Sequence, residues 1–309
     1  MTTGIINYFD VNENGAVASM KPTRVQIHNA RRLNNQSLST TGWFLFKYLP
    51  KVKDWYNDGK VVKEYYNDLE HVLEDLTGCD KAIVAGHFAR DVSSDEIVEV
   101  SRGYIDKLGT GGFSGGSITV AHNDFTPGYK SLLINYLTGG DLAVENGIQA
   151  FKDPKELNPH GLSKTELEDS RIMVVNIWRG TDRYPLQGKV LALCDKSTIG
   201  TSDLFPSNFG ENNVGSSTKD SEFSNEIKAV NEYYMAKENP QHRWYYFPDM
   251  KMDENIILRT YDSSEENLAP CHCAFEDEST IKFAKPRRSC EARVILVFKK
   301  KQEHRNAKL

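Results

Sequence analysis

Apolar residues along this chain follow helical spacing in places before residue 109 and strand-like spacing after residue 117. Val61, Val62, Tyr65, Leu69, Val72, Leu73 and Leu76 form one stripe, which predicts a helix over 60–76, and Gly78 is placed to end it. Lys81-Ala82-Ile83-Val84-Ala85 reads as a strand. Ile97, Val98, Val100, Tyr104, Ile105 and Leu108 then predict a second helix, capped by Ser93 or Ser94 and terminated by Gly109. Residues 1–58 mix short apolar pieces, such as Val25-Gln26-Ile27-His28 and Trp43-Phe44-Leu45-Phe46, with Asn, Gly and Thr, a pattern of short strands and loops.

From residue 117 onward the predicted strands are 117–124, 131–137, 171–179, 189–194, 244–247, 255–261, 269–275 and 289–298. Arg171-Ile172-Met173-Val174-Val175-Asn176-Ile177-Trp178-Arg179 is nearly apolar throughout and belongs buried on both faces. A polar stretch of helical character covers 139–168. The Asn-, Gly- and Ser-rich segment 202–221 predicts a loop or lid, 222–237 a helix, and 299–309 a frayed charged tail. Many short strands with little helix between them predict a mainly β fold with flanking helices, closed or sandwiched.

Composition narrows the classes without choosing one. The 309 residues allow one large domain or two ordinary ones, and 39% hydrophobic with 26% charged residues is a globular balance. A formal charge of −5 gives no reason to expect a nucleic-acid partner. No basic-then-apolar leader is visible at the N-terminus, and no apolar run approaches the roughly 20 residues needed to cross a bilayer. The five cysteines, Cys79, Cys194, Cys271, Cys273 and Cys290, are odd in number and lack framework spacing, which fits reduced thiols in the cytoplasm.

The candidate chemistry centres on Val120-Ala121-His122-Asn123-Asp124. On a strand His122 and Asp124 share a face, because side chains alternate. An imidazole and a carboxylate side by side supply two of the three ligands of a facial iron(II) triad, and His272 is the best candidate for the third. Ordinary hydrogen bonds at a strand end are the plainer alternative for such a tripeptide. Cys271-His272-Cys273 could also form half of a structural zinc site, but zinc needs four ligands, and the other three cysteines stand alone in sequence.

Arg287, Ser289, Glu291 and Arg293 share one strand face, and an arginine with a hydroxyl suits two-pronged capture of a carboxylate. The alternative is a solvated charged edge. Asn176-x-Trp178-Arg179 ends an apolar strand with a cation that must find an anion or water. Arg179 could face a substrate or cosubstrate carboxylate, or pair with Asp195 or Asp262. The run Gly109-Thr110-Gly111-Gly112-Phe113-Ser114-Gly115-Gly116 is not a phosphate loop. It follows a helix and opens a strand, the reverse of the order that places an anion at a helix N-terminus, and it reads as a connector.

Taken together, these residues resemble the asaB-like hydroxylase/desaturase family. The pieces that carry the resemblance are His122-Asn123-Asp124-Phe125-Thr126, Asn176-Ile177-Trp178-Arg179, Pro185-Leu186 and Leu191-Ala192-Leu193-Cys194-Asp195. Trp244-Tyr245-x-Phe247, Glu254 through Tyr261-Asp262-Ser263, His272-x-Ala274-Phe275 and Arg287-Arg288-Ser289-x-Glu291-x-Arg293 follow, so that the match runs in order from about residue 115 to 298. Gly180 stands where the pattern has proline, and Cys273 where it has alanine.

The resemblance implies a double-stranded β-helix (jelly-roll, cupin-like). It also implies a dioxygenase using Fe(II), 2-oxoglutarate as cosubstrate and O2 for hydroxylation, desaturation or oxidative cyclisation of a small molecule in secondary metabolism. His122, Asp124 and His272 would hold the metal, with Arg287, Arg288 or Arg293, and Ser289, at the cosubstrate. Asn176, Trp178 and Arg179 would line the substrate or cosubstrate pocket. The expected organisation is one oxygenase domain over 1–309. Within it, 1–114 packs as helices and strands on the core, and 115–298 forms the β-helix with insertions. The expected partner is a small molecule, not nucleic acid or membrane, in a cytoplasmic monomer or homodimer. An iron oxygenase or cyclase that does not use 2-oxoglutarate, a non-catalytic β-helix binding protein and a zinc hydrolase are the competing readings.

Overall fold

A computed structural model describes residues 1–11, 17–91, 98–103, 118–138, 161–208, 232–264, 268–280 and 284–300. One sheet runs in the order β1 (Thr2–Val11), β2 (Val17–Asn29), β11 (Trp244–Tyr246), β8 (Val190–Cys194), β13 (His272–Phe275), β6 (His122–Asn123), β10 (Glu232–Ala236), β9 (Leu204–Asn208). The other runs β3 (Trp43–Lys47), β12 (Glu254–Asp262), β7 (Arg171–Gly180), β14 (Arg288–Phe298), β4 (Lys81–Asp91), β5 (Val98–Gly103). Only β2 and β11 pair in parallel, and every other ladder between these strands is antiparallel. The result is a curled, mainly antiparallel jelly-roll, the mainly β fold that the strand pattern predicts and the double-stranded β-helix that the family resemblance implies.

Alternation along each strand sorts the core into layers. Ile256 and Leu258 of β12 and Trp178 of β7 face Ile6, Tyr8, Ile27, Leu191, Leu193 and Trp244 of the other sheet. The intervening residues Val175, Ile177 and Ile257 point outward and are covered by Val61, Tyr65, Leu69 and Leu73. Those four belong to the predicted helical stripe. It is found as Asp58–Val61, a π-type turn Val62–Tyr66 and Asn67–Thr77, and it ends at Gly78 in the left-handed conformation (φ 69°).

Three predicted elements differ. Residues 131–137 lie in a helix, Tyr129–Leu137, not a strand. Its Leu132, Leu133 and Leu137 cap one end of the inter-sheet space against Ile172, Val174, Ile295 and Val297. A short apolar run carries no decisive period, so packing settles the matter. Conversely, residues 98–103 and 232–236, read as helical, are strands β5 and β10, held by ladders to β4 and to β6 and β9. The glycine run 109–116, most of 139–160, the larger part of the 202–221 loop and the last nine residues lie outside the described residues.

Candidate metal centre

Three side chains from two neighbouring strands converge at the middle of the first sheet. His122 on β6 and His272 on β13 are direct register partners, and their rings lie 4.4 Å apart between centroids. β6 is only two residues long but is pinned on its other side by β10, where Met235 pairs with His122. Asp124 follows immediately. Its Oδ1 lies 3.4 Å from His122 Nε2 and 3.8 Å from His272 Nε2. One ligand-capable atom from each of the three falls within 4.8 Å of the others.

The histidine atoms are prepared for coordination. His122 Nδ1 sits 2.7 Å from the carbonyl of Val120. A carbonyl only accepts, so Nδ1 carries the proton and Nε2 keeps its lone pair. Burial, with His122 alongside, pushes His272 down to about 3, which leaves that imidazole neutral. Burial alone would raise Asp124, but the Arg293 guanidinium beside it outweighs burial and holds the carboxyl well below its ordinary range. Two imidazole nitrogens and one carboxylate oxygen on one side of a cavity form the donor set of a 2-His-1-carboxylate facial triad.

The opposite sheet presents its inner face to this trio. Along β7 that face reads Ile172, Val174, Asn176, Trp178, and along β14 Val297, Ile295, Arg293, Glu291, so the polar residues begin where the capping helix ends. Asp124 Oδ2 accepts from Asn176 Nδ2 and from Arg293 Nη2, each at 2.8 Å. Asn176 Nδ2 also reaches Glu291 Oε1 at 3.2 Å. Burial, and then the Asp124 charge, raise the Glu291 carboxyl above its usual range.

A cavity of about 50 Å³ opens beside the trio. Phe88, Ile118, Trp178 and Leu191 give it apolar walls, while Arg90, Arg287, Glu291 and Arg293 supply charge. Arg287 is buried, donates from Nη1 to the Lys189 carbonyl at 2.8 Å and lies 6.0 Å from the Trp178 ring.

The other residues singled out in the sequence lie elsewhere. Arg288 is half-exposed and pairs with Asp91 at 2.9 Å and Asp182 at 3.4 Å, outside the cavity. Ser289 is buried between its register partners Arg90 and Gly180 and does not line the cavity. Arg179 is buried on the outer side of β7. There it donates to Gly180, Asn255 and Met252 and lies 4.9 Å from the Trp55 ring, facing neither the cavity nor Asp195 or Asp262. Strand parity explains this, since Arg179 is one residue past the inward Trp178. Asn176 does not line the cavity either and acts on it through Asp124.

No cysteine joins a converging metal-binding set among the described residues. Of the other histidines, His242 is engaged with Asp203 and Tyr8, and His160 is outside the described residues. Phe88 and Arg90 were not found from sequence. They enter only because β4 pairs with β14, a long-range contact with no local signal.

A protein-family model described as "YDMC: Oxidoreductase/YMDC permease-like domain" matches residues 7–298. The hydroxylase/desaturase efuI of Hormonema carpetanum is 28% identical over 279 residues, covering 86% of this chain and 80% of that protein. The alpha-ketoglutarate-dependent dioxygenase phiK of a fungal species (strain ATCC 74256) is 24% identical over 95% of each chain. Among solved structures, the iron and alpha-ketoglutarate-dependent endoperoxidase NvfI superposes with a TM-score of 0.66 at 19% identity, over 97% of both chains, and so shares the fold.

Proposed function

The chain belongs to the family described as YDMC: Oxidoreductase/YMDC permease-like domain, and from that premise we propose that it is a non-haem Fe(II)- and 2-oxoglutarate-dependent oxygenase. It acts on a small molecule in secondary metabolism and falls within the asaB-like hydroxylase/desaturase group. The observation that carries the reading is the convergence of His122 Nε2, His272 Nε2 and Asp124 Oδ1 beside a walled cavity.

In this reading those three atoms hold the metal. Fe(II) held there would activate O2, the oxidant, which would take two electrons from 2-oxoglutarate, released as succinate and CO2, and two from a substrate C–H bond. The protein's own part is to bind, orient and exclude water. Arg287 takes the far carboxylate of 2-oxoglutarate, because it is the member of the Arg287–Arg288 pair that lines the cavity, and its flat fork matches a carboxylate. Trp178, Phe88 and Leu191 dry the space in which the substrate lies and fix its approach. Residues 1–309 act as one domain, since strands from both sides of residue 115 pair within each sheet. The cytoplasm suits five unpaired, buried thiols, and no described helix is long and apolar enough to cross a membrane.

The test is an anaerobic titration of the purified protein with Fe(II) and then 2-oxoglutarate, followed by visible absorption. A chelate charge-transfer band, and succinate formation once O2 is admitted, are expected. Fe(II) binding without either would move the protein to the oxygenases that do not use 2-oxoglutarate. No metal binding would remove the enzyme reading.

A further inference from the structure

The two oxygens of Asp124 are divided between two tasks. Oδ2 is taken by two donors, Asn176 Nδ2 and Arg293 Nη2, both at 2.8 Å. Oδ1 is left facing the two histidine Nε2 atoms. The donors are themselves fixed. Arg293 and Asn176 are direct register partners on β14 and β7, and Arg293 Nε donates to Asn176 Oδ1 at 3.2 Å. The guanidinium also lies 4.9 Å from the Phe125 ring centroid. Asn176 is 1% exposed and Arg293 4% exposed. With Nη2 on the metal-side carboxylate and Nε on Asn176, this side chain is badly placed to grip the far end of a cosubstrate.

On the metal-site reading above, we propose that Arg293 and Asn176 are positioning residues that hold Asp124 to one-oxygen ligation. A carboxylate free at both oxygens can occupy two metal positions. With Oδ2 held by two hydrogen bonds it occupies one, and the position spared stays open to a chelating ligand. Arg293 thereby leaves the set of cosubstrate arginines, and Arg287 remains.

The test uses Co(II), which resists oxidation, as the metal and compares two ligands by calorimetry and visible absorption. Oxalate chelates through two oxygens but has no distal carboxylate; 2-oxoglutarate has one. In Asn176→Leu and Arg293→Met the dissociation constants of both ligands from the Co(II)-loaded protein are expected to rise together, about tenfold or more. Arg293→Lys recovers part of the loss, and Arg287→Met weakens 2-oxoglutarate alone. A rise for 2-oxoglutarate with oxalate unchanged in Arg293→Met would overturn the proposal and return Arg293 to the cosubstrate. Unchanged binding of both ligands in folded Asn176→Leu would overturn it as well. Should Arg293→Met fail to fold, the oxalate titration of Asn176→Leu decides alone. Wild-type protein that binds Co(II) and oxalate but not 2-oxoglutarate would overturn the cosubstrate assignment and not this one. Wild-type protein that binds no Co(II) would overturn the metal site itself.

Discussion

His122 and His272 sit opposite one another in the ladder between β6 and β13, the single residue pair that joins those two strands. The metal-binding nitrogens are therefore set by backbone register, not by flexible side chains reaching across a gap. His122→Ala and His272→Ala should abolish Fe(II) and Co(II) binding and all turnover, with the far-UV circular dichroism unchanged. Retained metal affinity in His272→Ala would assign the third ligand elsewhere.

The arginines separate by position. Arg287→Met should raise the 2-oxoglutarate KM by 10- to 100-fold, roughly the 1.5–3 kcal/mol of a hydrogen bond to a charged group. Arg288→Met removes pairs with Asp91 and Asp182 outside the cavity and should leave that KM within about twofold. Steady-state kinetics with varied 2-oxoglutarate check both, and a large KM effect in Arg288→Met would reverse the assignment.

Gly42 has a φ of 86°, and a Cβ built there would lie 2.6 Å from the Pro270 ring. Pro270 opens the segment that delivers His272. Gly42→Ala should cost about 1–3 kcal/mol through backbone strain and overlap, lowering Tm by roughly 2–6 °C. Thermal melting of the two proteins side by side measures it, and an unchanged Tm would mean that the chain around 270 yields freely.

Asp262 is one source of acid sensitivity away from the metal centre. Burial would raise its carboxyl, but hydrogen bonds from Arg171 and Ser264 bring it below the usual carboxylate range. A folded value below the unfolded one, about 3.9, means that the stability contributed is complete above roughly pH 5 and is lost as pH falls through 3.9 toward the folded value. Asp262→Asn should therefore flatten the fall of Tm between about pH 5 and pH 3. Parallel melting curves for wild type and variant over that range would exclude the contribution.

The sequence by itself determined the elements whose period is unambiguous and the residues whose role follows from parity. The long stripe ending at Gly78 carries one dominant period, and the apolar run of β7 marks a strand buried on both faces. The His-x-Asp spacing places two ligands on one face wherever the strand lies, and the ordered family pattern selected His272. Tertiary structure decided what local pattern leaves open. Residues 131–137 became a helix because the end of the inter-sheet space needed an apolar cap. Residues 98–103 became the edge strand beside β4, and 232–236 became a strand because β6 and β9 offered a ladder on either side.

The division of labour among the arginines was also invisible from sequence. Arg287 and Arg293 have the same parity on β14, and parity fixes a face but not a depth along it. Depth is set by which residues lie opposite, and there the pairing with Asn176 and the approach of Asp124 commit Arg293, while the Trp178 side of the cavity receives Arg287. Such contacts join residues scores of positions apart, so their energies are absent from any short window of the chain.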